Sequence, residues 1–210
     1  MSKSPVIGIA LGSGAAKGFA HIGVLKALDE NGINVDIIAG CSAGALIGGL
    51  YCCGIQPIMI ESIADKIDKK LWMDITIPKQ GILKGKKIED MLKMFTKGKN
   101  IEQLDKKFIA ISTDLKSSQK YVFDKGPIYK AIRASISIPG VFEPVTMGDK
   151  VLVDGAVVDR VPVSELRKLG ADIIISVDLG ITNMNMKNIG ILDIIIQSID
   201  LLTKQAMKSK

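Results

Sequence analysis

A serine between glycines is the residue of this chain with the clearest potential for chemistry. Ser42 lies at the centre of Gly40–Gly44, a segment that follows the apolar run Val35–Ala39 and precedes small and apolar residues. The pattern predicts a strand, a sharp turn and a helix, with the serine hydroxyl exposed at the carboxyl end of the strand as in a nucleophile elbow. An ordinary turn with Ser42 as the helix N-cap is the alternative, and the surrounding sequence must decide.

A second turn of small residues, Gly12–Gly18, joins the apolar run Val6–Leu11 to the first segment with helical periodicity. Its backbone N–H groups, around Gly14 and Ala15, can converge on an anion at the amino end of a helix. Beside the strand that carries the serine, such a turn is where an acyl-transfer enzyme needs an oxyanion hole. A tight turn that needs small residues for structural reasons alone is the alternative.

The same turn does not fit the nucleotide-binding motifs. A P-loop needs glycine before its lysine and Ser or Thr after it, whereas Ala16 and Gly18 flank Lys17. A dinucleotide fingerprint starting at Gly12 would need glycine where Lys17 stands, and Asp36 lies near the start of the second strand instead of its end. The hypothesis of a nucleotide-binding module is therefore supported only by the presence of a glycine-rich turn.

A serine nucleophile needs a base, and the single histidine of the chain, His21, is poorly placed for that role. It lies on the first predicted helix, upstream of Ser42, whereas an α/β-hydrolase places its histidine after the nucleophile. We interpret His21 as a structural residue, so the base must be sought elsewhere.

Asp154 is the preferred base because it ends the apolar strand Val151–Val153 and precedes Gly155, whose small size permits close approach by another loop. Asp159 and Asp178 are rival candidates, and a turn or cap role is the alternative for Asp154. An aspartate with its ordinary pKa of about 3.9 is a weak base at neutral pH, so a Ser-Asp dyad requires burial or a polarised serine hydroxyl.

Composition sets the outer limits of function. The 210 residues, 47% hydrophobic and 24% charged, predict one globular domain spanning residues 1–210. The net charge of +6 favours polyanionic partners. With only 4% aromatic residues and no dense basic block, the chain lacks the features of a nucleic-acid binder. An anionic lipid surface is therefore the preferred partner. Three cysteines without paired metal-ligand spacing, Cys41, Cys52 and Cys53, predict buried, reduced thiols and no metal site.

The sequence predicts neither a signal peptide nor a transmembrane span. The amino terminus lacks the long apolar segment of a signal peptide, and no apolar run reaches the ~20 residues that span a bilayer. We therefore expect a cytoplasmic protein whose membrane contact is peripheral, at the inner face. The motifs call for no cofactor.

Strand-like apolar runs alternate with helix-period segments, which predicts a parallel sheet buried on both faces. The predicted strands are Val6–Leu11, Val35–Ala39, Phe108–Thr113, Lys120–Phe123, Val151–Val153 and Ile173–Val177. The predicted helices are Phe19–Asn31, Ala43–Cys53, Pro57–Lys70, Ile128–Ser137, Ser164–Leu169 and Ile191–Met207. The segment Trp72–Lys87 is interpreted as a long basic-apolar loop, either a lid or membrane-touching surface or a packed connection.

In chain order, the three motifs resemble those of the patatin-like phospholipases, particularly the short bacterial members. Leu11–Leu25 is similar to the oxyanion block of that family, Gly40–Gly44 to its Gly-x-Ser-x-Gly and Asp154–Ala156 to its Asp-Gly-Gly/Ala. The resemblance covers nearly all 210 residues. Supporting matches are Pro78–Leu83 with Gly85, Ala134-Ser135, Ile138–Phe142, Pro144-Val145 and Val153–Pro162.

The resemblance implies a patatin-like three-layer α/β sandwich, with a mainly parallel central sheet and helices on both faces. It implies a serine acyl hydrolase of phospholipase A, lysophospholipase or carboxylesterase type, in which Ser42 is the nucleophile and Asp154 the general base. The expected oxyanion hole is formed by Ser13, Gly14, Ala15 and Ala43. The glycines that shape the elbow and loops are Gly12, Gly18, Gly40, Gly44 and Gly155. Lys17 is either a contact for a phosphate headgroup or a solvated lysine.

Two departures from the family pattern bear on activity. Ser13 and Ala15 stand where many members have glycine, so a turn that requires positive φ at either position would be strained. A catalytically weak or silent lipid-binding module of the same fold is therefore the alternative function. The chain also stops at Lys210, where similar bacterial members continue, which leaves truncation or a short natural chain open and allows a homo-oligomer.

Overall fold

The computed structural model describes residues 4–66, 74, 81–180 and 191–208. The strands are β1 (Ile7–Leu11), β2 (Ile37–Cys41), β3 (Gly81–Leu83), β4 (Lys107–Asp114), β5 (Gln119–Phe123), β6 (Gly140–Phe142), β7 (Val145–Met147), β8 (Lys150–Asp154) and β9 (Ile173–Val177). The α-helices are α1 (Ala20–Glu30), α2 (Ala43–Cys52), α3 (Pro57–Lys66), α4 (Lys86–Phe95), α5 (Ile128–Ser135), α6 (Val163–Lys168) and α7 (Ile191–Lys208). Short 3-10 turns cover Ala15–Phe19, Ile101–Gln103 and Gly155–Val157.

The described strands build a central seven-stranded sheet in the order β7-β8-β4-β2-β1-β9, with β5 on the second edge of β4. Strands β9, β1, β2 and β4 run parallel, and β5, β8 and β7 join antiparallel at one side. The short strands β3 and β6 form a separate parallel pair.

Helices cover both faces of the sheet. On β1, Ile9 and Leu11 pack into the larger apolar cluster, together with Leu25 of α1, whereas Ala10 points into a second cluster with Leu166 of α6. The parallel strands thus bury both of their faces, which is why they appear in the sequence as apolar runs without alternation. The predicted three-layer sandwich is confirmed.

Most predicted elements begin and end within a residue or two of the observed ones, and Ile173–Val177 matches β9. Residues 67–70 of the predicted helix Pro57–Lys70 lie outside the described residues. Among the other predicted elements, the largest shift is at β2, predicted as Val35–Ala39 and observed as Ile37–Cys41. The strand continues to Cys41 because that residue pairs with Ile111 of β4, a partner that the local sequence does not reveal.

The interpretation of Trp72–Lys87 as one long loop is wrong in its described part. Gly81–Leu83 forms β3, which pairs with β6, and α4 already begins at Lys86. The Asp74 carboxylate accepts hydrogen bonds from the N–H groups of Gly85, Lys86 and Lys87, so it caps the helix. Residues 72–73 and 75–80 lie outside the described residues.

The sequence prediction also omitted α4, β6 and β7. The signal for α4 is present, because its two buried residues, Ile88 and Leu92, stand four positions apart and so lie on one face of the helix. The two strands are only three residues long each and carry no periodic signal of their own. Within the described ranges, no helix has both the length and the apolar character needed to cross a bilayer.

The single histidine of the chain ties α1 to the turn after β1. His21 is buried, and its Nε2 donates to the Gly12 carbonyl oxygen over 2.7 Å. Burial lowers the pKa of His21, because its charged form would lose hydration. The imidazole therefore serves as a neutral hydrogen-bond donor within the fold.

The contact of α2 with β1 yields a prediction about two helical glycines. A Cβ at Gly44 would lie 2.0 Å from the Leu11 carbonyl oxygen, whereas a Cβ at Gly23 would meet nothing within 4 Å. Gly44→Ala should lower the free energy of unfolding by about 1–3 kcal/mol or more. Gly23→Ala, the matched control on α1, should raise it by about 0.5–1 kcal/mol. Urea denaturation measures both, and equal effects would contradict the close packing.

The buried histidine yields a prediction about acid stability. Below the ordinary histidine pKa of 6.5 the unfolded chain binds a proton on His21, while the folded protein, with its lowered pKa, does not. Acid therefore favours unfolding through this residue, over the range from pH 6.5 down to the folded pKa. His21→Gln keeps a side-chain N–H donor but cannot titrate, so its melting temperature should fall less than that of wild type between pH 7 and pH 5. Parallel curves would show that His21 contributes nothing to acid sensitivity.

Candidate active site

Ser42 forms the turn between β2 and α2 by itself. Its backbone has φ 54° and ψ −121°, a conformation that non-glycine residues avoid and that is found at functional turns. The side chain makes no N-cap hydrogen bond to the helix, and the residue is only 4% exposed. The ordinary N-cap interpretation is therefore wrong, because the hydroxyl is directed elsewhere.

The glycines on either side of the elbow permit two close backbone contacts. A Cβ at Gly40 would lie 2.5 Å from the Ala45 Cα, and one at Gly44 would collide with the Leu11 carbonyl oxygen. The first contact folds α2 back over the end of β2, and the second presses α2 against β1. A Gly-x-Ser-x-Gly sequence thus satisfies the packing of this turn as well as its conformation.

Strand β4 brings the base to the nucleophile. Its residue Ile111 pairs with Cys41 at the end of β2, and the next residue, Ser112, pairs with Asp154 at the end of β8. Strand β5 occupies the other edge of β4 over the same residues, so β2 and β8 meet end to end on one edge. Ser42, which follows Cys41, is thereby placed against Asp154.

The side chains of Ser42 and Asp154 are in direct contact. The Ser42 Oγ donates to Asp154 Oδ2 over 2.5 Å, and Asp154 is only 3% exposed. The second carboxylate oxygen, Oδ1, accepts the Ala156 N–H over 2.9 Å, so Asp154 also caps the short 3-10 turn that follows it. This cap fixes the carboxylate plane and leaves Oδ2 directed at the serine.

The rival aspartates are engaged with cations. Asp159 forms an ion pair of 2.7 Å with Lys120, and Asp178 is exposed and accepts from the Arg160 Nε over 3.1 Å. Neither contacts Ser42. Of the three candidate bases, the structure brings only Asp154 within hydrogen-bonding distance of the serine.

The glycine-rich turn lies beside the elbow. A Cβ at Gly18 would lie 2.3 Å from the Ala43 Cβ, so this glycine allows the two loops to touch. Within the described residues, the N–H groups of Gly14, Ala15 and Ala43 have no hydrogen-bond acceptor. Three free donors near a serine hydroxyl are suited to bind developing negative charge.

Only one of the two departures from glycine is strained. Ala15 has φ 47°, in the left-handed region that costs a non-glycine residue on the order of 1–2 kcal/mol, whereas Ser13 is absent from the residues with positive φ. The Ser13 N–H donates to the Arg160 carbonyl oxygen over 3.0 Å, so it is engaged within the protein. The donors available from this turn are therefore those of Gly14 and Ala15.

Arg160 holds the glycine-rich turn through hydrogen bonds to the main chain of Ser13, a role that the sequence did not reveal. Besides accepting the Ser13 N–H, this buried residue donates from Nη2 to the Ser13 carbonyl oxygen over 3.1 Å and from Nε to Asp178. Both main-chain groups of Ser13 are thus held by one residue. The only sequence signal is an Asp-Arg pair, Asp159 and Arg160, within an otherwise apolar segment from Val157 to Val163.

The two loops border a small cleft that is partly open to solvent. Its polar side carries the Ser42–Asp154 pair, and its apolar wall comes from Ile138, Ala156 and Ile199 of α7. Lys17 is exposed and does not line the cleft. An apolar wall beside a polar pair suits a ligand with both characters, such as a fatty acyl ester.

The cysteines are free thiols, and none of them lines the cleft. Burial, followed by the nearby negative charges of Asp154 and Asp159, raises the pKa of Cys41 well above its usual value. Cys52 is buried as predicted, whereas Cys53 is only half-buried, and its pKa is raised to about 11. No cluster of three or more His, Cys, Asp or Glu side chains suited to a metal ion occurs in the described part of the chain.

Comparison with known proteins places the chain among similar sequences. The family model described as patatin-like phospholipase matches residues 9–167. An uncharacterized NTE family protein of Mycobacterium tuberculosis is 39% identical over 181 residues, which cover 85% of this chain and 50% of that protein. Lysophospholipase NTE1 of Debaryomyces hansenii is 33% identical over 180 residues, which cover 83% of this chain and 12% of that protein.

Two solved structures share the fold at low sequence identity. ExoU, a type III effector protein, aligns over 97% of this chain and 53% of its own with a TM-score of 0.51 and 13% identity. VipD from Legionella pneumophila aligns over 73% of this chain and 46% of its own with a TM-score of 0.50 and 13% identity. The chain spans half the length of its mycobacterial relative and a smaller part of the yeast enzyme. Because the family model covers most of the sequence, the chain belongs to the patatin-like phospholipase family.

Proposed function

We propose that this protein hydrolyses acyl esters of lipids through a Ser42-Asp154 dyad. The observation that carries the proposal is the 2.5 Å hydrogen bond from the Ser42 Oγ to Asp154 Oδ2, in a buried cleft at the strand ends. Membership of the patatin-like phospholipase family and the lysophospholipase among the relatives support a lipid substrate. No histidine takes part, because the only one in the chain is committed to the Gly12 carbonyl.

Acylation begins with attack of the Ser42 Oγ on the ester carbonyl carbon. The hydroxyl proton passes to Asp154 Oδ2 along the existing hydrogen bond as the C–O bond forms. Asp154 Oδ1 stays bound to the Ala156 N–H during this step, so the carboxylate does not rotate away. The proton then moves to the departing alkoxide, the alcohol leaves, and an acyl-enzyme on Ser42 remains.

The carbonyl oxygen becomes negatively charged in the tetrahedral intermediate. The free N–H groups of Gly14 and Ala15 on one side and Ala43 on the other are the donors that would hold this oxyanion. Ala43 N–H also lies at the amino end of α2, where the helix dipole adds positive potential. Water, deprotonated by Asp154, then releases the fatty acid and restores the free serine.

The apolar wall of the cleft indicates the position of the acyl chain. Ile138, Ala156 and Ile199 of α7 line the same cleft as the dyad, so the fatty acyl tail is expected to lie along these side chains. A phospholipid or lysophospholipid headgroup then faces solvent, where the net charge of +6 favours anionic surfaces. Peripheral contact with an anionic membrane, a cytoplasmic location and a homo-oligomer stay predictions of the sequence.

The dyad is tested by substitution and active-site labelling. Ser42→Ala should abolish both hydrolysis of p-nitrophenyl esters and labelling by a fluorophosphonate, because the nucleophile is removed. Asp154→Asn should lower kcat by about 10²–10⁴-fold, because the amide cannot accept the serine proton. Asp159→Asn, a matched change of a partly buried aspartate that pairs with Lys120 and does not contact Ser42, should keep activity within about threefold of wild type.

Two outcomes would count against the dyad. Equal losses in Asp154→Asn and Asp159→Asn would indicate a general electrostatic effect instead of a specific base. A folded wild-type protein that neither turns over nor accepts the label would contradict hydrolysis, and a silent lipid-binding module would then be the better account.

The preference for an anionic surface is tested with lysophospholipid presented in vesicles. Hydrolysis should be faster on vesicles containing phosphatidylserine or phosphatidylglycerol than on pure phosphatidylcholine, and the difference should shrink between 0.05 M and 0.5 M salt because the attraction is screened. Soluble p-nitrophenyl butyrate serves as the control, since its hydrolysis should not depend on the vesicles. Equal rates on both vesicle types would contradict electrostatic membrane contact.

A further inference from the structure

The carboxyl end of α5 touches the elbow through a side-chain hydrogen bond. Ser135, a fully buried residue, accepts the Ser42 backbone N–H on its Oγ over 2.9 Å. The same hydroxyl donates its proton to the Ile111 carbonyl oxygen over 2.6 Å. Because the proton is committed to Ile111, a lone pair of the hydroxyl faces the Ser42 N–H.

This hydrogen bond acts on the strained residue itself. With φ 54° and ψ −121°, Ser42 needs surrounding contacts that hold its conformation, and its N–H is buried away from water. Ile111, which receives the Ser135 proton, is also the β4 residue that pairs with Cys41. The Ser135 hydroxyl therefore links the elbow to the strand that aligns it.

The turn that follows Ser135 contacts the main chain of Asp154, the proposed base. The Asp154 N–H donates to the Ser137 carbonyl oxygen over 2.8 Å. The Ser137 Oγ accepts from Arg133 Nη1 over 2.5 Å and donates to the Arg133 carbonyl oxygen over 2.8 Å, which restrains this turn. One short segment at the carboxyl end of α5, residues 135–137, thus contacts the main chain of both dyad residues.

We propose that Ser135 is a positioning residue for the nucleophile. Its hydroxyl holds the Ser42 main chain in the elbow conformation, so that the Ser42 Oγ stays directed at Asp154 Oδ2. By engaging the Ser42 N–H, it also leaves the oxyanion to the donors of Gly14, Ala15 and Ala43. The inference rests on the proposed hydrolysis, because the effect of Ser135 on rate is exerted through Ser42.

The proposal is tested with Ser135→Ala and Ser135→Cys, assayed per folded molecule. Ser135→Ala leaves the buried Ser42 N–H without its acceptor, and kcat should fall about 10- to 100-fold while KM changes less than about twofold, since substrate contacts are unchanged. Ser135→Cys keeps the size of the side chain and a weak acceptor, so its kcat should lie between those of Ser135→Ala and wild type.

A matched control separates positioning from loss of stability. The buried Thr96, at the end of α4, donates its hydroxyl to the Leu92 carbonyl oxygen over 2.8 Å. Thr96→Val removes a buried hydroxyl and its hydrogen bond, as Ser135→Ala does, but outside the cleft. It should lower the melting temperature and leave kcat within about twofold of wild type.

Hydrogen exchange of the Ser42 amide, followed by NMR, gives a readout that does not need activity. Exchange at Ser42 should be at least about tenfold faster in Ser135→Ala than in Thr96→Val, because the protecting acceptor is gone. If Ser135→Ala changes neither kcat nor the amide exchange rate of Ser42, the positioning role is overturned. The hydrolase proposal is unaffected by that result as long as the wild-type protein is active.

The two proposals fail separately. An inactive wild-type protein would refute hydrolysis, and with it the effect of Ser135 on the reaction rate. The amide exchange rate of Ser42 would then decide whether the Ser135 hydroxyl holds the elbow conformation. If Ser135→Ala does not fold, Ser135→Cys decides by the same two measurements, and wild-type values of both would overturn the proposal.

Discussion

The contact between Ser42 and Asp154 depends on how β2 and β8 share one edge of β4. β2 ends beside Ile111 of β4, and β8 ends beside the next residue, Ser112. A shift of either register by one residue would turn the terminal side chains to the other face of the sheet, because side chains alternate along a strand. The 2.5 Å hydrogen bond of the site is thus a consequence of strand pairing across the middle of the chain.

Close approach of backbone segments is the second condition for the site. Gly18, Gly44 and Gly155 stand where a Cβ would lie between 2.0 and 2.4 Å from a neighbouring atom. These contacts compress the turn after β1, the elbow and the turn after β8 into one small volume. The strain at Ser42 and Ala15 is held by that packing and by buried polar residues, among them Arg160, which anchor the loops through backbone carbonyls.

Much of the fold could be predicted because its signals are local. The parallel strands are buried on both faces and stand out as apolar runs, and the helices that cover them show periodic apolar residues. The elements that were missed or misplaced depend on distant partners. β3 exists because it pairs with β6, and β2 reaches Cys41 because β4 continues beside it. Three-residue strands carry too few residues for a period of two to be recognised.

The sequence by itself determined the candidate nucleophile, its flanking glycines and a small set of candidate bases. It could do so because turns are recognised by their glycines and strand ends by the apolar runs that precede them. It preferred Asp154 over Asp159 and Asp178, because Asp154 ends an apolar strand and precedes a glycine, but it could not show which aspartate contacts the serine. Tertiary structure alone decided that Asp154 meets Ser42, since that contact joins residues 112 positions apart. The same holds for Ser135 and Arg160: a hydrogen bond to a distant backbone atom depends on where the chain folds back, which no local pattern records.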